Sequence, residues 1–189
     1  GAAPTTIWLV GKAITDERDQ FLPIDDYEGD LWLQFEGTST NEHVHYRTLA
    51  PQYWEERLVP YGWFALDHHQ TLSEMCTRNP ATQIYLSVEP GIYADKPDGF
   101  DMKDVITIVM DEFKDVSCVK GFAVDAEYYQ AVNGEDWTPI NKSLAKSWES
   151  ALHLIDPDYR LMLKHSSLWA LPRMEEGNIL FLCSEHDWG

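Results

Sequence analysis

Six short apolar runs divide this chain, and an acidic residue or a histidine follows each of them. Runs of this length, bounded by Gly, Pro and Asp, are typical of buried strands, and helix-like segments lie between several of them. Strands that alternate with helices favour a parallel sheet with right-handed crossovers. The residues that follow the six runs are Glu36, Asp67, Glu89, Asp125 with Glu127, His165, and Glu185 with His186. Because parallel strands end at one common edge, the sequence predicts one face that collects these side chains.

The predicted fold is α/β, in the form of a TIM-like (β/α) barrel. A further run near the start of the chain brings the predicted strands to seven, ending at about residues 10, 35, 66, 88, 124, 164 and 183. A full eight-stranded barrel usually needs about 250 residues, whereas this chain has 189. We therefore expect a short or incomplete barrel that forms a single domain over residues 1–189. An open doubly wound parallel sheet is the alternative.

Apolar residues at helical spacing predict helices at 69–78, 102–113 and 139–155, and a short helix is expected at 51–58. Asp101 is the expected N-cap of the second of these helices. Residues 37–46 are predicted to form a polar loop, in which His43 and His45 would be solvated surface side chains.

The chain is strongly acidic, with 32 Asp and Glu against 14 Lys and Arg and a formal net charge of −18. A protein of this charge repels phosphate backbones, so nucleic acid is not an expected partner. No apolar run approaches the length of about 18 residues that a membrane span requires, so no membrane insertion is expected. The sequence carries no signal for the oligomeric state.

The cysteines bear on the compartment. Cys76, Cys118 and Cys183 allow at most one disulfide bond and lack the spacing of a zinc site. The small residues at positions 1–6 are of the kind that flanks a signal-peptide cleavage site. We therefore expect an extracellular or cell-surface protein, with a cytoplasmic location as the alternative.

The fifth run ends in two carboxylates one residue apart, Asp125 and Glu127. Side chains alternate along a strand, so both would point to the same face with Cα atoms about 6.5–7 Å apart. Each charge raises the cost of ionising the other, so one carboxyl group can stay protonated near neutral pH. Cleavage of a glycosidic bond needs such a pair, because one group protonates the leaving oxygen while another stabilises the developing positive charge.

The segment GFAVDAE at residues 121–127 resembles the strand-four signature of family 18 glycoside hydrolases, the chitinases and endo-β-N-acetylglucosaminidases. The match covers mainly residues 119–129, and QIYLSVEPG at 83–91 is similar to the family's preceding strand. Lys120 and Ala123 stand where the family has its first two Asp residues. The family's later Met-x-Tyr-Asp motif has no clear counterpart in this chain.

The resemblance implies a TIM barrel in which Glu127 is the catalytic acid and Asp125 orients the substrate's N-acetyl group, which acts as the nucleophile. We therefore expect an enzyme, a glycosidase that binds and cleaves an N-acetylglucosamine-containing glycan without a cofactor or metal. The residues expected to contact the substrate are Glu36, Asp67, Glu89, Tyr128, His165, Glu185 and Trp188. Of these, Tyr128 and Trp188 are the expected stacking platforms for sugar rings.

Two other functions remain open at this stage. The oxygen and imidazole side chains at the run ends are ligands that hold divalent metals, so a metal-dependent TIM-barrel hydrolase or isomerase is one alternative. A catalytically inactive carbohydrate-binding protein is the other. Lys164, at a predicted strand end, is expected to be a charge partner of Glu127 or Glu185.

Overall fold

The computed structural model of this protein describes residues 5–13, 28–34, 41–47, 62–64, 69–92, 94–97, 100–131, 137–173 and 178–182. The strands are β1 (Thr5–Ala13), β2 (Glu28–Gln34), β3 (Asn41–Arg47), β4 (Gly62–Phe64), β5 (Gln83–Glu89), β6 (Val119–Asp125), β7 (Arg160–Lys164) and β8 (Leu180–Leu182). The helices are α1 (His69–Arg78), α2 (Met102–Phe113) and α3 (Lys142–His153). Two 3₁₀ turns follow strands, at Ala126–Tyr128 and Leu168–Ala170.

Six strands form the main sheet in the order β4-β1-β5-β6-β7-β8, and five of them are parallel. The parallel strands curl into a half-barrel, and β4 pairs antiparallel with β1 at one edge. The α/β class predicted from the sequence is therefore confirmed. The described strands do not close into a full TIM barrel.

The three described helices share a single core with one face of the sheet. Side chains from α1, α2 and α3 pack together with alternate strand residues such as Trp8, Leu86 and Phe122. Ala123 and Met162 belong to a separate small cluster on the opposite face, which we call the inner face. Helices on one face are typical of a (β/α) barrel, whereas a doubly wound sheet carries helices on both faces.

Strand pairing places two charged residues on the inner face. β6 and β7 are in a register that sets Ala123 beside Met162 and Asp125 beside Lys164. Because side chains alternate along a strand, Asp125 and Lys164 lie on the same face as Ala123 and Met162. The chemistry of the site therefore begins on the inner face.

The prediction for residues 28–47 was wrong. β2 was expected to be a parallel strand of the main sheet and 37–46 a loop, but β2 pairs antiparallel with β3 in a separate two-stranded sheet. Only residues 35–40 join the two strands, and a parallel crossover needs a dozen or more residues. His43 and His45 consequently lie in a strand and not in a loop.

The strand that was predicted to end at residue 66 also differs from the expectation, in its length and its direction. It is the three-residue β4, which runs antiparallel to β1. The strands that precede Glu36 and Asp67 are therefore not parallel strands of the main sheet. Glu36 and Asp67 themselves lie outside the described residues.

The helix predictions are confirmed at 69–78 and 102–113. Asp101 caps α2 as expected, because its carboxylate accepts a hydrogen bond from the Lys103 N–H at 2.8 Å. The third helix begins later than predicted, at Lys142, since Asn141 accepts the Leu144 N–H at 2.9 Å and is its N-cap. The helix expected at 51–58 lies outside the described residues. Within the described part of the chain, no helix has the length and apolarity to cross a membrane.

Gly121 in β6 allows a close approach of β7. A Cβ atom at this position would lie 1.9 Å from the carbonyl oxygen of Arg160, its partner in the register. The clashing atoms belong to the Arg160 backbone, so no side-chain rotation can relieve the clash.

Replacing Gly121 by Ala should lower the free energy of unfolding by about 2–3 kcal/mol, because β6 and β7 must separate to admit the methyl group. Chemical denaturation measures this change. Lys120→Ala is the matched control in the same strand, since Lys120 is exposed and its replacement should change stability by less than about 0.5 kcal/mol. Wild-type stability in Gly121→Ala would show that the strands are not packed in this register.

A disulfide bond joins Cys76 of α1 to Cys118, which directly precedes β6. Their Cα atoms are 5.5 Å apart and their separation in sequence is 42 residues. The bond therefore fastens α1 to the start of the strand that carries Asp125.

Replacing both Cys76 and Cys118 by Ser should reduce the free energy of unfolding by about 3–4 kcal/mol, because the unfolded chain gains the freedom of a loop of this length. Denaturation of the double variant and of the wild type, with and without reductant, measures the difference. Cys183→Ser is the control and should leave the effect of reductant unchanged. A reductant effect that persists in the Cys76 and Cys118 double variant would disprove this pairing.

Candidate functional site

Asp125 is the last residue of β6, and its carboxyl group is buried, with 7% of the residue exposed. Its Oδ2 atom accepts a hydrogen bond from the Lys164 Nζ at 3.3 Å across the β6–β7 pair. Burial raises the pKa of Asp125, and the nearby charge of Glu127 adds to this, while the Lys164 ammonium opposes it. Burial prevails, so Asp125 holds its proton to a higher pH than an ordinary Asp.

Glu127 lies in the 3₁₀ turn that follows β6, and it is less buried than Asp125. Its Oε1 atom accepts a hydrogen bond from the backbone N–H of Ser166, which follows β7. Burial alone would raise the pKa of Glu127, but the hydrogen bonds from Ser166, aided by the Lys164 ammonium, outweigh it and lower the pKa. Glu127 is therefore the ionised member of the pair.

The environments of the two carboxyl groups differ from the expectation drawn from the family resemblance. That resemblance gave the acid role to Glu127, whereas burial raises the pKa of Asp125 and the contacts of Glu127 lower its pKa. An electrostatic interaction between the two carboxyl groups was expected from their spacing. The directions of the two pKa shifts, however, depend also on Ser166 and Lys164. Lys164 pairs with Asp125, and its charge also acts on the predicted partner Glu127, whose pKa it lowers. Its other predicted partner, Glu185, lies outside the described residues.

His165 directly follows β7 and is almost fully buried, with 1% of the residue exposed. Its ring packs edge-on against Trp137, with 4.5 Å between ring centroids. The Ser167 N–H donates a hydrogen bond to the Nδ1 atom at 2.8 Å. Burial lowers the pKa of His165 more than the Glu127 charge raises it, so the ring is neutral.

Two buried polar atoms at this edge lack a hydrogen-bond partner among the described residues: Oδ1 of Asp125 and Nε2 of His165. Buried polar atoms in folded proteins are normally paired with protein or water. Both atoms belong to strand ends that lie side by side. They are the positions at which a bound molecule can complete the hydrogen bonding.

Glu89 and Tyr128 lie in the same neighbourhood. Burial raises the pKa of Tyr128, and the charges of Glu89, Asp125 and Glu127 raise it further. Glu89 is the last residue of β5, the strand next to β6. The carboxyl ends of β5, β6 and β7 therefore bring together five of the nine predicted site residues, namely Glu89, Asp125, Glu127, Tyr128 and His165. The other four, Glu36, Asp67, Glu185 and Trp188, lie outside the described residues.

A hydrogen-bond network that sequence reasoning missed supports the turn carrying Glu127. The Tyr129 hydroxyl donates to Oδ2 of Asp95 at 3.1 Å, and the Met102 N–H donates to Oδ1 of the same carboxylate at 2.8 Å. Gln130 donates through Nε2 to the Ala94 carbonyl oxygen at 2.8 Å. Sequence gave no signal for the contacts of Tyr129 and Gln130, because they join residues more than 30 positions apart.

Ser166, Ser167 and Trp137 were also missed. The backbone N–H groups of the two serines act on Glu127 and His165, and backbone contacts leave no residue-type signature in a sequence. Trp137 precedes α3 and is placed against His165 only by the fold.

The alternative of a metal-dependent enzyme is not supported by a ligand cluster in the part of the chain that the structure describes. No three His, Cys, Asp or Glu side chains converge there in an arrangement that holds a metal ion. At the carboxyl edge, an oxygen of Asp125 is occupied by the Lys164 ammonium, which competes with a cation. A metal site would depend on the predicted ligands Glu36, Asp67, Glu185 and His186, which are not described.

The two carboxyl groups should make opposite contributions to stability as the pH changes. Asp125 has a raised pKa in the folded state, so its contribution is present below its ordinary value of 3.8 and is lost as the pH rises through the folded value. Glu127 has a lowered pKa, so its contribution is present above its ordinary value of 4.5 and is lost as the pH falls through the folded value.

Relative to the wild type, Asp125→Asn should therefore gain stability as the pH rises from 4 to 8, whereas Glu127→Gln should lose stability as the pH rises from 3 to 5. Thermal unfolding of the two variants and the wild type across this range measures both trends. If stability relative to the wild type changed with pH in the same direction for both variants, the opposite pKa shifts assigned to Asp125 and Glu127 would be contradicted.

Comparisons with known proteins do not identify a family for this chain. No protein-family model, no curated protein and no solved structure matches this chain. The function is therefore argued from the residues at the carboxyl edge.

Proposed function

We propose that this protein is a glycoside hydrolase that cleaves an N-acetylglucosamine-containing glycan by acid catalysis at the Asp125–Glu127 pair, and that its half-barrel belongs to a TIM-like (β/α) barrel. One observation supports the proposal above all. Two carboxyl groups at a single strand end have environments that push their pKa values apart. Paired carboxyl groups with separated pKa values are how enzymes obtain an acid and an ionised partner at the same pH.

In this proposal Asp125 is the acid. Its proton passes from the carboxyl group to the oxygen of the scissile glycosidic bond as the bond to the sugar carbon breaks. The carboxylate left on Asp125 carries a negative charge, and the Lys164 ammonium at 3.3 Å stabilises it. Lys164 thereby lowers the cost of the step without taking part in proton transfer.

Glu127 is the ionised partner. The Ser166 N–H holds one of its oxygens, which fixes the orientation of the carboxylate. A fixed negative charge beside the sugar stabilises the positive charge that develops at the anomeric carbon. A water molecule then adds to that carbon and gives a proton back to the Asp125 carboxylate, which completes the hydrolysis. The family resemblance implies the reverse assignment, with Glu127 as the acid and Asp125 as its partner.

A carbohydrate ligand is supported by the surroundings of the pair. Glu89 and Glu127 make the edge acidic, which disfavours phosphorylated and other anionic ligands. Trp169, in the 3₁₀ turn a few residues after His165, is 82% exposed. Exposed indole rings suit the C–H faces of sugars, so Trp169 joins Tyr128 and the predicted Trp188 as a stacking platform.

We also propose an extracellular or cell-surface location. The Cys76–Cys118 disulfide supports it, because disulfide bonds persist in oxidising compartments and are rare in the cytosol.

The test is turnover of N-acetylglucosamine oligomers by the wild type and by variants of the pair. Asp125→Asn and Glu127→Gln should each lower kcat by about 10²–10⁴-fold, because each removes one half of the acid catalysis. Binding of the oligomer should change little, since both substitutions keep the shape of the side chain. Asp111→Asn is the matched control, because Asp111 is an exposed carboxylate on α2 that pairs with Lys114.

Three outcomes would overturn the proposal. Unchanged turnover in Asp125→Asn would remove it as the acid. Loss of wild-type activity with a chelator, restored by a divalent cation, would favour the metal-dependent alternative. Oligomer binding without turnover by the wild type would favour an inactive carbohydrate-binding protein.

A further inference from the structure

Asp95, in the loop after β5, joins that loop to two other elements of the fold. Its Oδ1 atom accepts a hydrogen bond from the N–H of Met102, the first residue of α2, at 2.8 Å. Its Oδ2 atom accepts one from the Tyr129 hydroxyl at 3.1 Å. Tyr129 directly follows the 3₁₀ turn at Ala126–Tyr128, which contains Glu127. A single carboxyl group therefore links the start of α2 to the end of that turn.

The backbone of Asp95 is itself held in place. Its φ of 53° lies in the left-handed region, which Gly, Asn and Asp adopt more readily than other residues. Its N–H donates to the Phe100 carbonyl oxygen at 2.7 Å, and Ala94 forms a β-bridge with Phe100. These contacts close the loop, so the short Asp95 side chain projects from a fixed backbone.

Tyr129 connects this carboxyl group to the turn. The residue is buried in the main core, with 3% exposed, and its ring packs edge-on against Trp148 of α3 with 5.3 Å between centroids. The Tyr129 N–H donates to the Ala126 carbonyl oxygen at 3.2 Å, which closes the 3₁₀ turn. A displacement of Tyr129 would therefore move the turn and, with it, Glu127.

The turn after β6 is held from two sides, because β6 lies between β5 and β7 in the sheet. On the β5 side the contact is Asp95 with Tyr129. On the β7 side it is the Ser166 N–H, which donates to Oε1 of Glu127. Hydrogen bonds weaken steeply when their distance and angle change. Loss of the contact on the β5 side should therefore weaken the contact on the β7 side.

We propose that Asp95 is a positioning residue, which holds the Glu127 carboxylate against the Ser166 N–H by way of Tyr129. The inference rests on the proposed function, in which Glu127 is the charge that stabilises the transition state. It adds a residue that neither the sequence pattern nor the family resemblance places in the site. Asp95 acts on the rate through Tyr129 and not through contact with the substrate.

The experiment compares Asp95→Gly with Asp95→Asn in turnover of an N-acetylglucosamine tetramer. Both replacements tolerate the left-handed backbone, but only Asn can accept the Met102 N–H and donate its amide to the Tyr129 hydroxyl. Asp95→Gly should lower kcat about 10- to 100-fold and leave KM within about twofold, because Glu127 acts on the transition state and not on the bound substrate. Asp95→Asn should keep kcat within about threefold of the wild type, because both contacts can be replaced.

Asp101→Ala is the matched control. Asp101 is the N-cap of the same helix and accepts the Lys103 N–H at 2.8 Å, but its described hydrogen bonds do not reach the turn. This substitution should lower stability while kcat stays within about twofold of the wild type.

Tyr129→Phe provides a second variant, which tests the same link if Asp95→Gly does not fold. It removes the hydroxyl that Asp95 holds and keeps the buried ring. It should lower kcat about three- to tenfold with little change in KM. A normal kcat in either folded variant would overturn the inference.

The NMR signal of the Ser166 amide gives a measurement that does not depend on turnover. The hydrogen bond to Glu127 should place the Ser166 amide proton downfield in the wild type. This proton should move upfield in Asp95→Gly and in Tyr129→Phe but keep its position in Asp101→Ala. If the signal is the same in the wild type, Asp95→Gly and Tyr129→Phe, Asp95 does not position Glu127.

These results separate the inference from the proposed function. If the wild type cleaves the tetramer and Asp95→Gly cleaves it normally, only the role of Asp95 fails. If the Ser166 signal depends on Asp95 but the wild type does not cleave the tetramer, the hydrolase function fails and the positioning of Glu127 stands. If neither result is obtained, both fail.

Discussion

The contact between Lys164 and Asp125 controls the chemistry of the carboxyl edge. Asp125 is buried on the inner face of the sheet, where burial favours its neutral form. Lys164 reduces this effect without reversing it, because its ammonium lies beside only one of the two oxygens. The carboxyl group can therefore hold a proton and still has a partner that stabilises the charge once the proton leaves. The proposed role of Asp125 as an acid requires both properties, because an acid must regain its proton after each turnover.

Strand register creates this contact. Gly121 lets β7 lie close to β6, and the pairing that follows sets Asp125 opposite Lys164 at the last position of both strands. If β6 were shifted by one residue against β7, Asp125 would point toward the helices, because side chains alternate along a strand. Lys164 would then lie on the opposite face from Asp125. The same register places Ser166 beyond the end of β7, where its N–H reaches Glu127. Gly121 thus permits the close strand pairing in which Lys164 and Ser166 reach the two carboxyl groups.

The sequence predicted the parts of the structure that depend on local patterns. Apolar spacing located α1 and α2. Asp125 and Glu127 were expected on one strand, whereas only Asp125 belongs to β6 and Glu127 lies in the 3₁₀ turn that follows it. The hairpin of β2 and β3 was missed, although the short connection at 35–40 excludes a parallel crossover. The charge states could not be predicted, because Glu127 is stabilised by an N–H group 39 residues away. No spacing rule identifies Cys76 and Cys118 as partners 42 residues apart.

Two residues near the site adopt backbone conformations that side chains usually avoid. Asp95 has φ of 53° and Gln130 has φ of 56°, both in the left-handed region. Each is held by hydrogen bonds between the loop after β5 and the turn after β6: the Tyr129 hydroxyl binds Asp95, and the Gln130 N–H binds the Gly91 carbonyl oxygen at 2.9 Å. Backbone strain of this kind persists only where the surroundings compensate for it. The network therefore joins the loop after β5 to the turn after β6, which carries Glu127. The proposed catalytic role of Glu127 requires such support, because small displacements of a catalytic group from its substrate lower the rate steeply.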